Sequence, residues 1–98
     1  MIRHCSLFKF KPDVGPEMIS KIVEEFSKLP GLIPAIESFE IGTNVGDRPD
    51  NYDIGVCMTF ASFEAYKVYR VNPDHIKFYQ EFLIPFQDAR TSVQFEIE

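Results

Sequence analysis

Four stretches of the chain alternate apolar and polar residues with a period of two, and three others carry apolar residues at helical spacing. From Arg3 to Phe10, His4, Ser6, Phe8 and Phe10 fall on one side and Arg3, Cys5, Leu7 and Lys9 on the other, until Lys11-Pro12-Asp13 ends the run. This predicts a first strand. Gly15-Pro16-Glu17 then opens a helix, with Pro at its first position and an acid beside its positive end. Met18, Ile19, Ile22, Val23, Phe26 and Leu29 form its apolar stripe, and Pro30-Gly31 is the expected stop. Ile36 to Gly42 reads as a second strand, with Phe39 and Ile41 opposite Ser38 and Glu40. A turn-rich loop through Asn44, Gly46, Pro49, Asp50 and Asn51 follows and is expected to be the most mobile segment. Asp53 to Phe60 is a third strand, with Ile54, Val56, Met58 and Phe60 on one side and Gly55, Cys57 and Thr59 on the other.

Ser62 is placed to cap a short helix through Tyr69. Asn72-Pro73-Asp74 breaks that helix and starts another, with Asn72 as cap and Pro73 at the first position. His75 lies in the first turn of the new helix. Tyr79, Phe82, Leu83 and Phe86 follow it at helical spacing, so His75 heads an apolar stripe directed at the sheet. Thr91 to Glu98 closes the chain as a fourth strand, Val93, Phe95 and Ile97 alternating with Ser92, Gln94 and Glu96.

The order β-α-β-β-α-α-β is the α+β, ferredoxin-like split βαβ plan over one domain, 1–98, with a four-stranded antiparallel sheet. Helices can cover only one face of such a sheet, so the richer apolar faces are expected to meet them, placing His4 and His75 in one layer. Phe8, Phe10, Phe26, Phe39, Phe60, Phe63, Phe82 and Phe95 all count as inward on this reading. Ser6, Phe8, Ile22, Val23, Phe26, Phe39, Val56 and Phe63 are expected to line a small hydrophobic pocket there. The other face, with Cys5, Leu7, Gly55, Cys57 and Thr59, is too apolar to leave wet and suits the same face of a second copy. A homodimer is therefore expected, its two sheets forming a barrel. At 98 residues the chain buries only about 60–70% of the surface it exposes when unfolded, which points the same way.

A net charge of −5, from fifteen acidic and ten basic residues without a basic block, argues against nucleic acid and anionic membranes as partners. The N-terminus lacks the pattern of a secretory signal, and no apolar run approaches the roughly 18 residues of a spanning helix, so a cytoplasmic protein is expected. Cys5 and Cys57 are too few for a disulfide framework and are read as buried free thiols. His4 and His75 are the only two histidines, and with Tyr69 they are the one group suited to proton chemistry near neutral pH. An imidazole in an apolar pocket stays neutral and basic, and a phenol beside it can donate to a substrate oxygen, as ring closure or isomerisation through an enolate requires. The structural alternative is that Tyr69 and His75 hydrogen-bond each other to pin the helix break, and that His4 is a strand histidine bonded to backbone or water. Two histidines with Asp74 lack local metal-ligand spacing, so no metal is expected, and the chemistry needs no cofactor.

Three segments carry a family resemblance. Arg3-His4-Cys5-Ser6-Leu7-Phe8-Lys9-Phe10-Lys11, Leu29-Pro30-Gly31-Leu32-Ile33-Pro34 and Tyr69 with Asn72-Pro73-Asp74-His75 together resemble the stress-responsive dimeric A/B barrel (Dabb) family over essentially the whole chain. The resemblance implies a homodimeric barrel with the helices outside. It also implies, by similarity to a plant polyketide cyclase of the family, that Tyr69, His75 and His4 face the reactive end of a pocket. Asn72 departs from the His that commonly precedes the Pro, at a position read here as a helix cap. Three functions stay open: a binder of a small carbonyl-bearing or aromatic molecule, a cofactor-free cyclase, lyase or isomerase, and a self-associating structural stress-response protein.

Overall fold

The computed structural model describes residues 1–97. The elements are β1 (Ile2–Phe10), α1 (Pro16–Phe26), α2 (Leu29–Leu32), β2 (Ser38–Thr43), β3 (Ile54–Phe60), α3 (Phe63–Val71), α4 (Pro73–Phe78), continued by a π-helical turn (Tyr79–Leu83), and β4 (Gln87–Glu96). The first helix ends at Phe26, ahead of the expected stop at Pro30-Gly31, and Leu29 opens a separate short helix. Pro30 instead sits in the first turn of α2, where its missing N–H costs nothing. The fourth strand starts four residues before the expected Thr91 and ends at Glu96, and the expected terminus Glu98 lies outside the described residues.

The strands form one antiparallel sheet in the order β2-β3-β1-β4. The helix-facing side of β1 and β3 brings Phe8, Phe10, Ile54, Val56, Met58 and Phe60 against Ile22, Phe26, Leu29, Ile33, Phe78 and Leu83. Each fully buried aliphatic or aromatic side chain there contributes about 1.5–3 kcal/mol. Phe26 centres an aromatic cluster, with ring centroids 5.9 Å from Phe8, 5.8 Å from Phe39 and 4.6 Å from Phe78.

The face of β4 is the reverse of the expectation. In an antiparallel pair, residues directly opposite each other point to the same side. Val93 pairs with Cys5 and Phe95 with Arg3, so both lie on the outer face. Arg90, Ser92 and Gln94 pair with Phe8, Ser6 and His4, so they face the helices. Phe95 and Phe63 are both 44% exposed and neither is a core residue; Phe63 sits at the very start of α3, outside the helix-sheet interface. Cys5 and Cys57 are cross-strand partners on the outer face with their Sγ atoms 3.4 Å apart, half-buried and free.

Candidate functional site

Local chemistry places the histidine of α4. Ser62 caps α3, its Oγ accepting from the Ala65 N–H (3.2 Å), and Asn72 caps α4, its Oδ1 accepting from the Asp74 N–H (2.8 Å). Asn72, held extended by the following Pro73, breaks one helix and starts the next. The break folds His75 back onto Tyr69, ring centroids 4.3 Å apart. After Phe78 the helix takes on an extra residue, with the Ile84 N–H donating to the Tyr79 carbonyl five residues back (2.9 Å). The apolar stripe therefore divides. Phe78 and Leu83 enter the core, whereas His75 and Tyr79 turn to a cavity on the β4 side.

That cavity, about 450 Å³, lies between α3, α4 and the polar face of β4. His4, Tyr66, Tyr69 and His75 line its inner part; Arg70, Ile76, Tyr79, Gln80, Ile84, Arg90, Ser92 and Gln94 complete it. His4 stands 4.9 Å from Tyr66 and 6.2 Å from Tyr69 between ring centroids. Its Nδ1 accepts from the Gln94 amide (2.8 Å) and its Nε2 donates to Ser6 Oγ (3.0 Å), so both nitrogens are engaged within the protein. His75 is different. Its Nδ1 lies 3.2 Å from the Arg70 carbonyl, which can only accept, so the proton sits on Nδ1 and Nε2 keeps its lone pair. The hydrogen bond between Tyr69 and His75 that the structural alternative required does not form; the two rings pack on each other instead. Tyr69 is only 3% exposed, and its ring packs against that of Phe60 as well, centroids 5.3 Å apart.

Burial sets the protonation states. Desolvation, aided by the charges of His75 and Arg90, lowers the His4 pKa to about 4. Desolvation likewise lowers His75, against the opposing hydrogen bond to the Arg70 carbonyl, with Arg90 adding to the fall. Tyr69 is pushed up, chiefly by burial, so its phenol stays protonated. At neutral pH the cavity thus holds two uncharged imidazoles and a neutral phenol.

The three residues expected to be catalytic therefore share one cavity. The eight expected to line it do not: Phe8, Ile22, Phe26 and Val56 are close-packed core, Val23 and Phe39 flank that core, and Phe63 is exposed. Ser6 lies behind His4 as its hydrogen-bond partner. Asp74 borders a separate concavity with Phe78 and Phe82, and among the described residues no three His, Cys, Asp or Glu side chains are grouped as metal ligands. The polar residues Arg90, Ser92 and Gln94 line the cavity without being among the expected site residues. The signal for them was their regular alternation, which also fits a strand facing water. A wider concavity of about 520 Å³ lies on the outer sheet face around Leu7, Gly55 and Cys57, away from both histidines. Among the described residues no helix is long and apolar enough to cross a membrane.

Comparison with known proteins finds a match to the model of the stress responsive A/B barrel domain over residues 2–97. A stress-response A/B barrel domain-containing protein of Arabidopsis thaliana is 31% identical over 84 residues, covering 84% of this chain and 77% of that protein. A dimeric ferredoxin-like protein from Thermobifida fusca superimposes with a TM-score of 0.88 at 29% identity, covering 98% of this chain and 90% of that one. A hydroxynitrile lyase from Passiflora edulis shares the fold with a TM-score of 0.87 at 21% identity, covering 99% and 93%.

Proposed function

The chain belongs to the stress-responsive A/B barrel family, and from that premise we propose that it is a homodimeric cytoplasmic protein binding a small carbonyl-bearing or aromatic molecule in the helix-sheet cavity, where Tyr69 and His75 act on it as an acid-base pair. The observation that carries this reading is the fixed tautomer of His75. The Arg70 carbonyl holds the Nδ1 proton, and Nε2 is left as a base beside the buried ring of Tyr69. Tyr69 donates a hydrogen bond to the substrate carbonyl oxygen while His75 Nε2 takes a proton from the adjacent carbon. The enolate so formed attacks an electrophilic carbon or is reprotonated elsewhere, and the imidazolium returns its proton. No step calls on a cofactor. His4, with both nitrogens engaged, is a positioning residue that supports the wall beneath Tyr66 and Tyr69 rather than a proton carrier. The lyase on this fold shows that the architecture can house an enzyme, and its low identity carries no substrate over.

His75→Ala and Tyr69→Phe test the proposal. Each is expected to keep the fold and dimer nearly intact while lowering turnover or binding of small cyclic and polyketide-like ketones by about tenfold or more. Because His75 is held below the usual imidazole range, turnover is expected to persist through neutral pH and fall only on acidification. Variants that only melt earlier, beside a parent protein that binds none of these compounds, would leave the two side chains as packing.

A further inference from the structure

Taking the helix-sheet cavity as a small-molecule site, as above, we propose that its ligand is an aromatic or unsaturated carboxylate whose carboxylate group is received between Arg70 and Arg90. The protein carries a net charge of −5, yet no Asp or Glu lines this cavity. Arg70 enters it from the end of α3 and Arg90 from β4, so two guanidinium groups approach one space from the helical layer and from the sheet. Neither forms an ion pair among the described residues; the ion pairs there are Lys21–Glu25, Lys28–Glu25 and Lys67–Glu64, all on helix surfaces elsewhere. Each guanidinium lies over a tyrosine ring, Arg70 at 5.3 Å from the centroid of Tyr66 and Arg90 at 5.2 Å from that of Tyr79. Stacking of this kind holds the planar fork in place before a ligand arrives, and less side-chain freedom is lost on binding.

Both imidazoles are neutral, so the positive charge of the cavity belongs to these two arginines. A carboxylate matches their fork geometry and their charge. Tyr66, Tyr69, Tyr79, Ile76 and Ile84 supply an aromatic and aliphatic wall for the rest of the molecule. An inorganic anion alone would leave that wall wet. Hydrogen bonds to a charged group are stronger than those to a neutral isostere, so the acid should outbind the corresponding amide.

The test is calorimetric or NMR-detected titration of the full chain at low ionic strength with benzoate against benzamide and 2-naphthoate against 2-naphthamide, and with inorganic phosphate as competitor. The acid of each pair is expected to bind at least about tenfold tighter than its amide. The preference should shrink with added salt and fall below about twofold in the Arg70→Gln/Arg90→Gln protein. Either single substitution should give an intermediate preference, which serves if the double variant folds poorly. Equal affinity for acid and amide, or a preference that survives both substitutions, overturns the carboxylate assignment while the cavity stands as a binding site. Displacement of naphthoate by phosphate at comparable concentration overturns the aromatic part of the assignment. Binding of neither member of either pair overturns the small-molecule reading of the cavity, and this inference with it.

Discussion

Both ring nitrogens of His4 are occupied, by Ser6 and Gln94, and the ring lies against Tyr66 in a space that excludes most water. A proton added to that ring must displace the donated hydrogen bond from Gln94 and charge a desolvated group. The consequence is a stability profile with a definite sign. The unfolded chain takes up a proton near pH 6.5, while the folded chain refuses it until about pH 4. His4 therefore contributes fully to stability above about pH 6.5, and the contribution is lost as the pH falls from there towards 4. The full effect is on the order of 1–3 kcal/mol. Urea unfolding of the parent and of His4→Gln across this range should show the parent losing stability on acidification and the variant following a flatter curve. Parallel curves would mean that His4 titrates normally. His75, also lowered, adds to the same acid limb.

Among the elements, the break between α3 and α4 has the most direct bearing on the site, because it seats His75 on Tyr69. Asn72→Ala removes the cap on α4 and should cost about 1 kcal/mol in thermal or denaturant unfolding. It should also loosen the His75 ring and weaken ligand binding, whereas Asn72→Asp should restore both, an acid being favoured at a helix N-terminus. An Asn72→Ala protein with parental stability would show that Pro73 alone sets the break. This break could be read from the sequence because Ser62, Asn72 and Pro73 act on their immediate neighbours. The faces of β1 and β3 could be read as well, since their inner sides are apolar and their outer sides are not. β4 was not readable in the same way. Its alternation separates Val93 and Phe95 from Arg90, Ser92 and Gln94 cleanly, but both faces of the sheet carry apolar side chains, and only the pairing of Val93 with Cys5 and of Gln94 with His4 decides which set turns inward. The misplaced cavity follows from the same cause. Phe8, Phe26 and Val56 are packed into the core on their side of the sheet, and the room lies where β4 presents the polar residues Arg90, Ser92 and Gln94. The π-helical turn, a single inserted residue in the hydrogen-bond ladder, has no sequence signature here, yet it sends Phe78 to the core and Tyr79 to the cavity.

At the scale of the whole molecule, Leu7, Val93 and Phe95, exposed by 43%, 54% and 44%, together with Cys5 and Cys57, make the outer sheet face an apolar surface broader than the alternation of β1 and β3 alone suggested. That surface supports the proposed homodimer, as does the dimeric Thermobifida fusca protein of the same fold. Sedimentation equilibrium at micromolar concentration should give about twice the chain mass. Cys57→Arg should dissociate the dimer while leaving the chain folded, because an unpaired charge between the sheets costs several kcal/mol. A dimer unaffected by this change would place the contact elsewhere. Within one chain, the core and the cavity occupy different halves of the same interface, with Tyr66 and Tyr69 as the buried aromatic residues common to both. Ile76, Gln80 and Ile84, which help shape the cavity, are exposed and absent from the core. Their replacement alters what the cavity admits at little cost to folding, so selection can retune ligand choice in this chain without first accumulating compensating mutations in the core, and new specificities are reachable by single steps.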